Sequence, residues 1–164
     1  ANLFSYRFKD RNMLNRQVRD INRKLAPKGV CLIPIYVDGE RVLMYLYRPG
    51  MLKEAISSEK SRSILEKEGY PEGGNGKRLA CLAQRIKDSD SFPHEIGLFL
   101  GYPPEDVEGF MTLGSSNAIA SGFWKVYHNA DQAEQTFERF RRCNKAYSDQ
   151  YKKGRTLEEL TVAI

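Results

Sequence analysis

The sequence has few of the residues that build disulfide frameworks and metal centres. Its 164 residues include only three cysteines and two histidines. Cys31, Cys81 and Cys143 are odd in number and far apart, and no Cys-x-x-Cys occurs. Neither a disulfide framework nor a thiolate zinc site is therefore indicated. We expect reduced, mostly buried thiols, as in a cytoplasmic protein.

Long apolar runs are also missing. No run approaches the roughly 20 residues that a membrane-spanning helix needs. The first residues, ANLFSYRFKDRN, lack the apolar core of a signal peptide. We therefore expect a cytoplasmic protein without a membrane segment. Because the chain starts at Ala1 rather than at Met, we also expect that further residues originally preceded it.

Basic residues are absent from the middle of the chain. The net charge is +5, yet no Lys or Arg occurs between Lys87 and Lys125. Residues 88–124 hold six acidic side chains, whereas residues 1–28 hold eight Lys or Arg against two Asp. The basic segment either serves nucleic acid or an acidic partner, or only balances the acidic segment of the same molecule. The sequence has no known motif for recognising particular bases, so specific nucleic-acid binding is not expected.

The sequence motifs that would identify a reaction are incomplete. His94-Glu95 begins a zinc-protease pattern, but Leu98 stands where the second His is needed. The Gly-rich loop 71–78 has Pro71 at the first Gly of a phosphate loop and Arg78 at its Ser/Thr. The Gly-x-Ser-x-Gly elbow of serine hydrolases does not occur. No motif therefore assigns a reaction.

What is present predicts a single α+β domain over residues 1–164. Apolar residues recur at helical spacing over 10–25, which predicts an amphipathic helix. Residues 30–48 form a β-hairpin pattern around Asp38-Gly39, the turn type that tolerates positive φ. The β-prone residues 122–127 are expected to add a third, antiparallel strand. Several helices should then pack on this small sheet.

The Asp38-Gly39 turn also predicts which residues of the hairpin lie opposite each other. In this register one face of the hairpin is wholly apolar and should be core. That face comprises Cys31, Ile33, Ile35, Val42, Met44 and Leu46. The opposite face is amphipathic and aromatic, and we expect a helix to cover it. Pro34 cannot donate to a ladder, so its strand is expected at a sheet edge.

Residues 92–110 are predicted to form two short helices separated at Gly101. Pro93 and Pro103 suit helix starts. The predicted core residues are Ile96, Phe99, Leu100, Val107 and Phe110. The carboxylates of this segment are expected away from the core, where the free N–H groups of helix starts stabilise anions.

The last long helix is predicted to begin with a capping box of Asp131 and Glu134 and to end at Gly154. Its expected core stripe is Ala133, Phe137, Phe140, Tyr147 and Tyr151. Cys143 lies near this stripe and is expected to be buried.

Residues 92–110 also contain the candidate site. His94 and Glu95 are candidate catalytic residues, because a His beside carboxylates can act as a general base or a metal ligand. The candidate ligand-binding residues are Tyr102, Asp106, Glu108 and Lys125. The hypothesis is a protein that binds a small molecule or a metal ion, with or without catalytic activity.

Two other interpretations stay open. His94 and Glu95 can simply cap a helix start by hydrogen bonds. The chain can also be a non-catalytic interaction module that binds a protein partner through its basic N-terminal helix or through the acidic segment 88–124. The substrate, cofactor, metal and oligomeric state are left open.

The motif FPHEIGLFLGYPPEDVEGF, followed by GFWKVY and AEQTFERFRRCNKAY, resembles the bacterial domain-of-unknown-function family 3793. The likeness also includes ANLFSYRF and LMYLYRP, so it spans nearly the whole chain. The resemblance implies membership of a family without an assigned activity, cofactor or catalytic residue. It also implies that family members often begin with further residues upstream of ANLFSYRF. Any site to which those residues contribute would be incomplete without them.

Overall fold

The computed structural model describes residues 1–89 and 91–163. Over these residues it contains five strands and eight α-helices. In chain order they are β1 (Asn2–Arg7), α1 (Arg11–Leu25), β2 (Cys31–Asp38), β3 (Arg41–Tyr47), α2 (Pro49–Ala55), α3 (Glu59–Lys67), α4 (Asn75–Asp88), α5 (Ile96–Leu100), α6 (Pro104–Leu113), β4 (Ala120–Ser121), β5 (Lys125–Val126), α7 (Ala130–Lys152) and α8 (Leu157–Leu160). The predicted α+β class is confirmed.

The main sheet has the strand order β1-β3-β2, with antiparallel neighbours. Its third strand is β1, which pairs with β3 so that Leu3 lies opposite Tyr45. The prediction that 122–127 supplies this strand was wrong. β4 and β5 instead pair with each other, Ala120 opposite Val126, in a separate two-stranded sheet. Their local partner is only a few residues away, whereas the free edge of β3 is filled by the start of the chain.

The predicted hairpin register was also wrong. Asp38 lies opposite Arg41, so the two loop residues are Gly39 and Glu40. Gly39 takes the positive φ of 53°, and a two-residue loop with Gly first is a favoured hairpin turn. A bulge between Pro34 and Tyr36 shifts the register again. Such a bulge re-aims the side chains that follow it.

Both faces of the sheet are covered by helices. On one face Leu32, Val42 and Met44 pack against Leu14 of α1. The other face presents Tyr45, which is fully buried beneath residues of helices α2 to α6. The predicted core face therefore splits, because Ile33 and Ile35 belong to the Tyr45 side. The expected helical cover of the aromatic face and the edge position of β2 are confirmed.

The segment of α5 and α6 is close to its prediction. Gly101 ends α5 with φ 84°, a left-handed conformation that Gly adopts without strain. α6 begins at Pro104, after Pro103 as its N-cap. α5 begins only at Ile96, because the chain first makes a turn in which the Ile96 N–H donates to the Pro93 carbonyl.

α7 differs most from its prediction. Its N-cap is Asn129, whose side chain accepts from the Gln132 N–H, so the predicted capping box at Asp131 was wrong. Only the beginning of the apolar stripe is buried, at Ala133 and Phe137. Phe140 is 38% exposed, Tyr147 46% and Tyr151 59%, and Cys143 is exposed as well. The helix continues past the residues that pack on its first turns.

Over the described part of the chain, no helix combines the length and the apolar character that crossing a membrane would require.

Candidate ligand-binding site

A pocket of about 250 Å³ lies between α5, α6 and the start of β5. Its lining is mostly apolar, with a few polar side chains among aromatic and branched ones. The lining residues are His94, Ile96, Gly97, Tyr102, Asp106, Val107, Phe110, Trp124 and Lys125. This volume corresponds to about eight water molecules, which suits a small organic molecule rather than a nucleotide cofactor.

The pocket brings together four of the six candidate residues. His94 precedes α5, Tyr102 lies between the two helices, Asp106 is in the first turn of α6, and Lys125 opens β5. The close approach of α6 to the segment after β5 depends on Gly109. A Cβ at this position would lie 2.4 Å from Cγ of Tyr127, so a larger residue would push the pocket wall apart.

Glu95 does not line the pocket, and its predicted position away from the core was wrong. It is only 2% exposed. Its Oε1 accepts a hydrogen bond from the Tyr70 hydroxyl at 2.9 Å and from Nε of Arg85 at 2.7 Å. Arg85 also donates to the side chain and the carbonyl of Glu68, each at 2.7 Å. Burial, followed by the adjacent Glu95 carboxylate, raises the pKa of Tyr70. Glu95 therefore joins α4 to the start of α5.

Asp106 is likewise buried, at 3% exposure, which the prediction also missed. Its Oδ1 accepts from the backbone N–H groups of Tyr127 at 2.8 Å and His128 at 3.0 Å. Its Oδ2 accepts from the indole N–H of Trp124 at 2.7 Å. Three donors compensate a carboxylate that has left water. Asp106 thus fixes the segment 124–128, and with it Trp124, against α6.

Glu108 lies outside the pocket, on the surface. Its Oε2 is 3.0 Å from Nζ of Lys60, and both side chains are 39% exposed. The hydrogen bond from Lys60 lowers the pKa of Glu108. An exposed ion pair of this kind contributes little to stability.

Aromatic rings form two walls of the pocket. Tyr102 stacks on Trp124 with centroids 5.2 Å apart and planes 30° from parallel. The rings of His94 and Phe110 have their centroids 4.8 Å apart and their planes at 82°. Burial raises the pKa of Tyr102, so its hydroxyl stays neutral. These walls favour a flat or apolar occupant.

The polar lining has a bias towards donors. Within residues 1–89 and 91–163, Lys125 forms no ion pair. The acid that lines the pocket, Asp106, has both oxygens engaged by the three N–H groups. His94 is exposed at the pocket rim. The groups left for a ligand are therefore an ammonium, an imidazole and a phenol.

The same part of the chain contains no cluster of three or more His, Cys, Asp or Glu that could hold a metal ion.

A larger cleft of about 760 Å³ adjoins this pocket between α2, α5 and α7, and Tyr102 lines both. Of the six candidate residues it holds Tyr102 alone. On the α7 side it is lined by Phe140 and Cys143, which are exposed. The larger cleft is also lined by polar residues, among them Arg48, Glu54 and Asn144, whereas the smaller pocket holds the candidates His94, Asp106 and Lys125.

Trp124 is the lining residue that sequence reasoning missed. It was assigned to a strand, whereas the structure places it just before β5, at the pocket. Available signals were that it is the sole Trp of the chain and precedes the candidate Lys125. The partners of Glu95 and Asp106 carried no local signal, because Arg85 and Trp124 lie 10 and 18 residues away along the chain.

The fold and the pocket define a small α+β protein with a mostly apolar cavity and a lysine in its lining. Comparison with protein-family models matches residues 1–161 to the family described as "Protein of unknown function (DUF3793)". The chain belongs to this family, as the resemblance implied. Comparisons with curated proteins and with solved structures found no match.

Proposed function

We propose that this protein binds a small organic molecule in the pocket between α5, α6 and β5. The observation that supports the proposal is the convergence of His94, Tyr102 and Lys125 on an apolar cavity of about 250 Å³. A concave, mainly apolar site with a few convergent polar groups is the usual form of a small-molecule site.

The alternative was an interaction module that uses the acidic segment or the basic N-terminal helix. Two acidic residues of this segment are not on the surface, because Glu95 and Asp106 are buried. Glu108 is paired with Lys60. The arginines of α1 remain exposed. We keep the expectation that any nucleic-acid binding is weak and falls steeply with salt.

The proposal is tested with Trp124, the single Trp of the chain. Labelling with 5-fluorotryptophan gives one ¹⁹F resonance, which reports directly on the pocket wall. We expect that at least one probe among benzamide, benzoate, benzylamine and indole shifts this resonance saturably at up to millimolar concentration. A panel without any saturable shift would overturn the proposal.

A matched pair of variants tests whether binding occurs in this pocket. Phe110→Ala removes a lining ring, whereas Phe92→Ala removes a ring that is 47% exposed and lies outside the pocket. We expect weaker binding of the active probe in the first variant only, with folding of both checked by circular dichroism. Equal affinities in the two variants would assign the probe to another site.

A further inference from the structure

We propose that the ligand of this pocket is a small carboxylate with an apolar or aromatic body, bound through Lys125. This inference rests on the proposed function and specifies its ligand class. The carboxylate would meet the ammonium group of Lys125 and the imidazole of His94 at the rim. The body of the ligand would lie among the rings and branched side chains of the lining.

The charge preference follows from which lining groups already have partners. Asp106 gives both of its oxygens to N–H donors of the protein, so it offers little to a cationic ligand. Lys125 is half-buried, lines the pocket and forms no ion pair with a described residue. A partly desolvated ammonium is stabilised by an anion that enters beside it. Among the lining groups, Lys125 therefore lacks a negatively charged hydrogen-bond acceptor, and a ligand would supply it.

The shape and number of donors restrict the anion further. The stacked rings of Tyr102 and Trp124 and the ring of Phe110 all line the cavity. Phosphate sites generally combine several backbone N–H groups or the two-pronged contact of Arg. No Arg is among the lining residues, and Lys125 is the lining side chain that is cationic at neutral pH. A monoanionic carboxylate on an apolar body matches this lining better.

The experiment compares three probes of one shape on the full chain: benzoate, its neutral counterpart benzamide, and benzylamine. Dissociation constants are measured from the ¹⁹F shift of labelled Trp124. We expect benzoate to bind at least about tenfold tighter than benzamide, the scale of one charge-assisted hydrogen bond. Benzylamine should bind more weakly than both.

Variants of the lysine identify its role. Lys125→Met keeps the length of the side chain and removes the charge, so it should weaken benzoate at least about tenfold and benzamide by a clearly smaller factor. Lys125→Arg should restore part of the benzoate affinity. Lys87→Met, at an exposed position of α4, is the matched control and should change nothing.

Each result has a distinct consequence. Equal affinities for benzoate and benzamide, or full retention of benzoate by Lys125→Met, would overturn the carboxylate assignment. Pocket binding of benzamide or benzylamine that Phe110→Ala weakens would then leave the proposed function standing. If no probe binds, both the proposed function and this inference fail.

Discussion

The α5–α6 segment and helix α7 both have apolar residues at helical spacing, but their environments differ. α5 and α6 pack against each other and against α2, α3 and β5, and Phe99 is only 1% exposed. α7 is buried at Ala133 and Phe137, where Val126 lies beside it, and is exposed beyond them. Periodicity therefore identifies the side of a helix that can be buried, whereas the neighbouring elements decide how much of that side is buried.

The largest difference should appear when one ring is removed from each region. Phe99 contacts Tyr70 at 5.6 Å between centroids, and its carbonyl accepts from the Tyr45 hydroxyl. Phe99→Ala should lower the free energy of unfolding by about 3–5 kcal/mol, measured by urea denaturation. Phe140→Ala is the matched change in α7 and should cost much less. Similar costs for the two variants would contradict the contrast.

The buried carboxylate of α6 should be the next most sensitive group. Asp106→Asn leaves a single acceptor oxygen for three N–H donors, so at least one buried donor loses its partner. We expect a loss of about 1–3 kcal/mol in the free energy of unfolding. The control is Glu108→Gln, which should cost less than about 1 kcal/mol because the pair with Lys60 is exposed. If Asp106→Asn left the free energy of unfolding unchanged, this carboxylate would not hold the 124–128 segment.

Alkaline pH should destabilise the region around α5 through its buried tyrosines. Burial raises the pKa of Tyr45 and of Tyr70 above the ordinary value of 10.0. Above that value the unfolded chain releases these protons while the folded chain retains them, so stability is full below pH 10 and falls as the pH rises. Between pH 10 and 11 the loss should be about 1 kcal/mol per tyrosine.

Urea denaturation at pH 9, 10 and 11 measures this loss. Tyr45→Phe should make the pH dependence shallower, whereas Tyr147→Phe in exposed α7 should leave it unchanged. An unaltered slope in Tyr45→Phe would show that other groups cause the alkaline loss.

The smallest effects are expected on the exposed part of α7. Tyr147→Ala and Cys143→Ser should each change the free energy of unfolding by less than about 0.5 kcal/mol. Cys143 is exposed, whereas Cys31 and Cys81 are partly buried. A thiol reagent should therefore modify Cys143 first in the native protein, as read by mass spectrometry. Slow modification of Cys143 would indicate that this part of α7 is covered in solution.

Local signals predicted the positions of the helices and of the hairpin, but not the register of the hairpin. Helix α1 and the break at Gly101 were both predicted from short patterns. Strand β1 was not, because its only support is pairing with β3 some forty residues later in the chain, and its own side chains are mostly exposed. The bulge in β2 begins at Pro34, and Pro in a strand occurs at edges and at bulges alike, so this residue predicted the edge position but not the shift in register.

The candidate site shows the same limit. The acidic residues of 88–124 were noticed because basic residues are missing there, and four of the six candidates line one pocket. Their roles in binding stay a prediction. The burial of Glu95 and Asp106 could not be predicted, because it depends on Arg85 and on the 124–128 segment, which come from elsewhere in the chain. Charge patterns locate such residues without identifying their partners.

The hydrogen bonds of Asp106 also determine which parts of the chain open together. The amides of Tyr127 and His128 donate to a carboxylate from α6, about twenty residues earlier. Their protons can exchange with deuterated solvent only when this segment separates from α6. Exchange at these two amides is therefore coupled to the opening of the pocket wall, and α6 and 124–128 form one cooperative unit. A ligand in the pocket would slow their deuterium uptake, even though neither amide faces it.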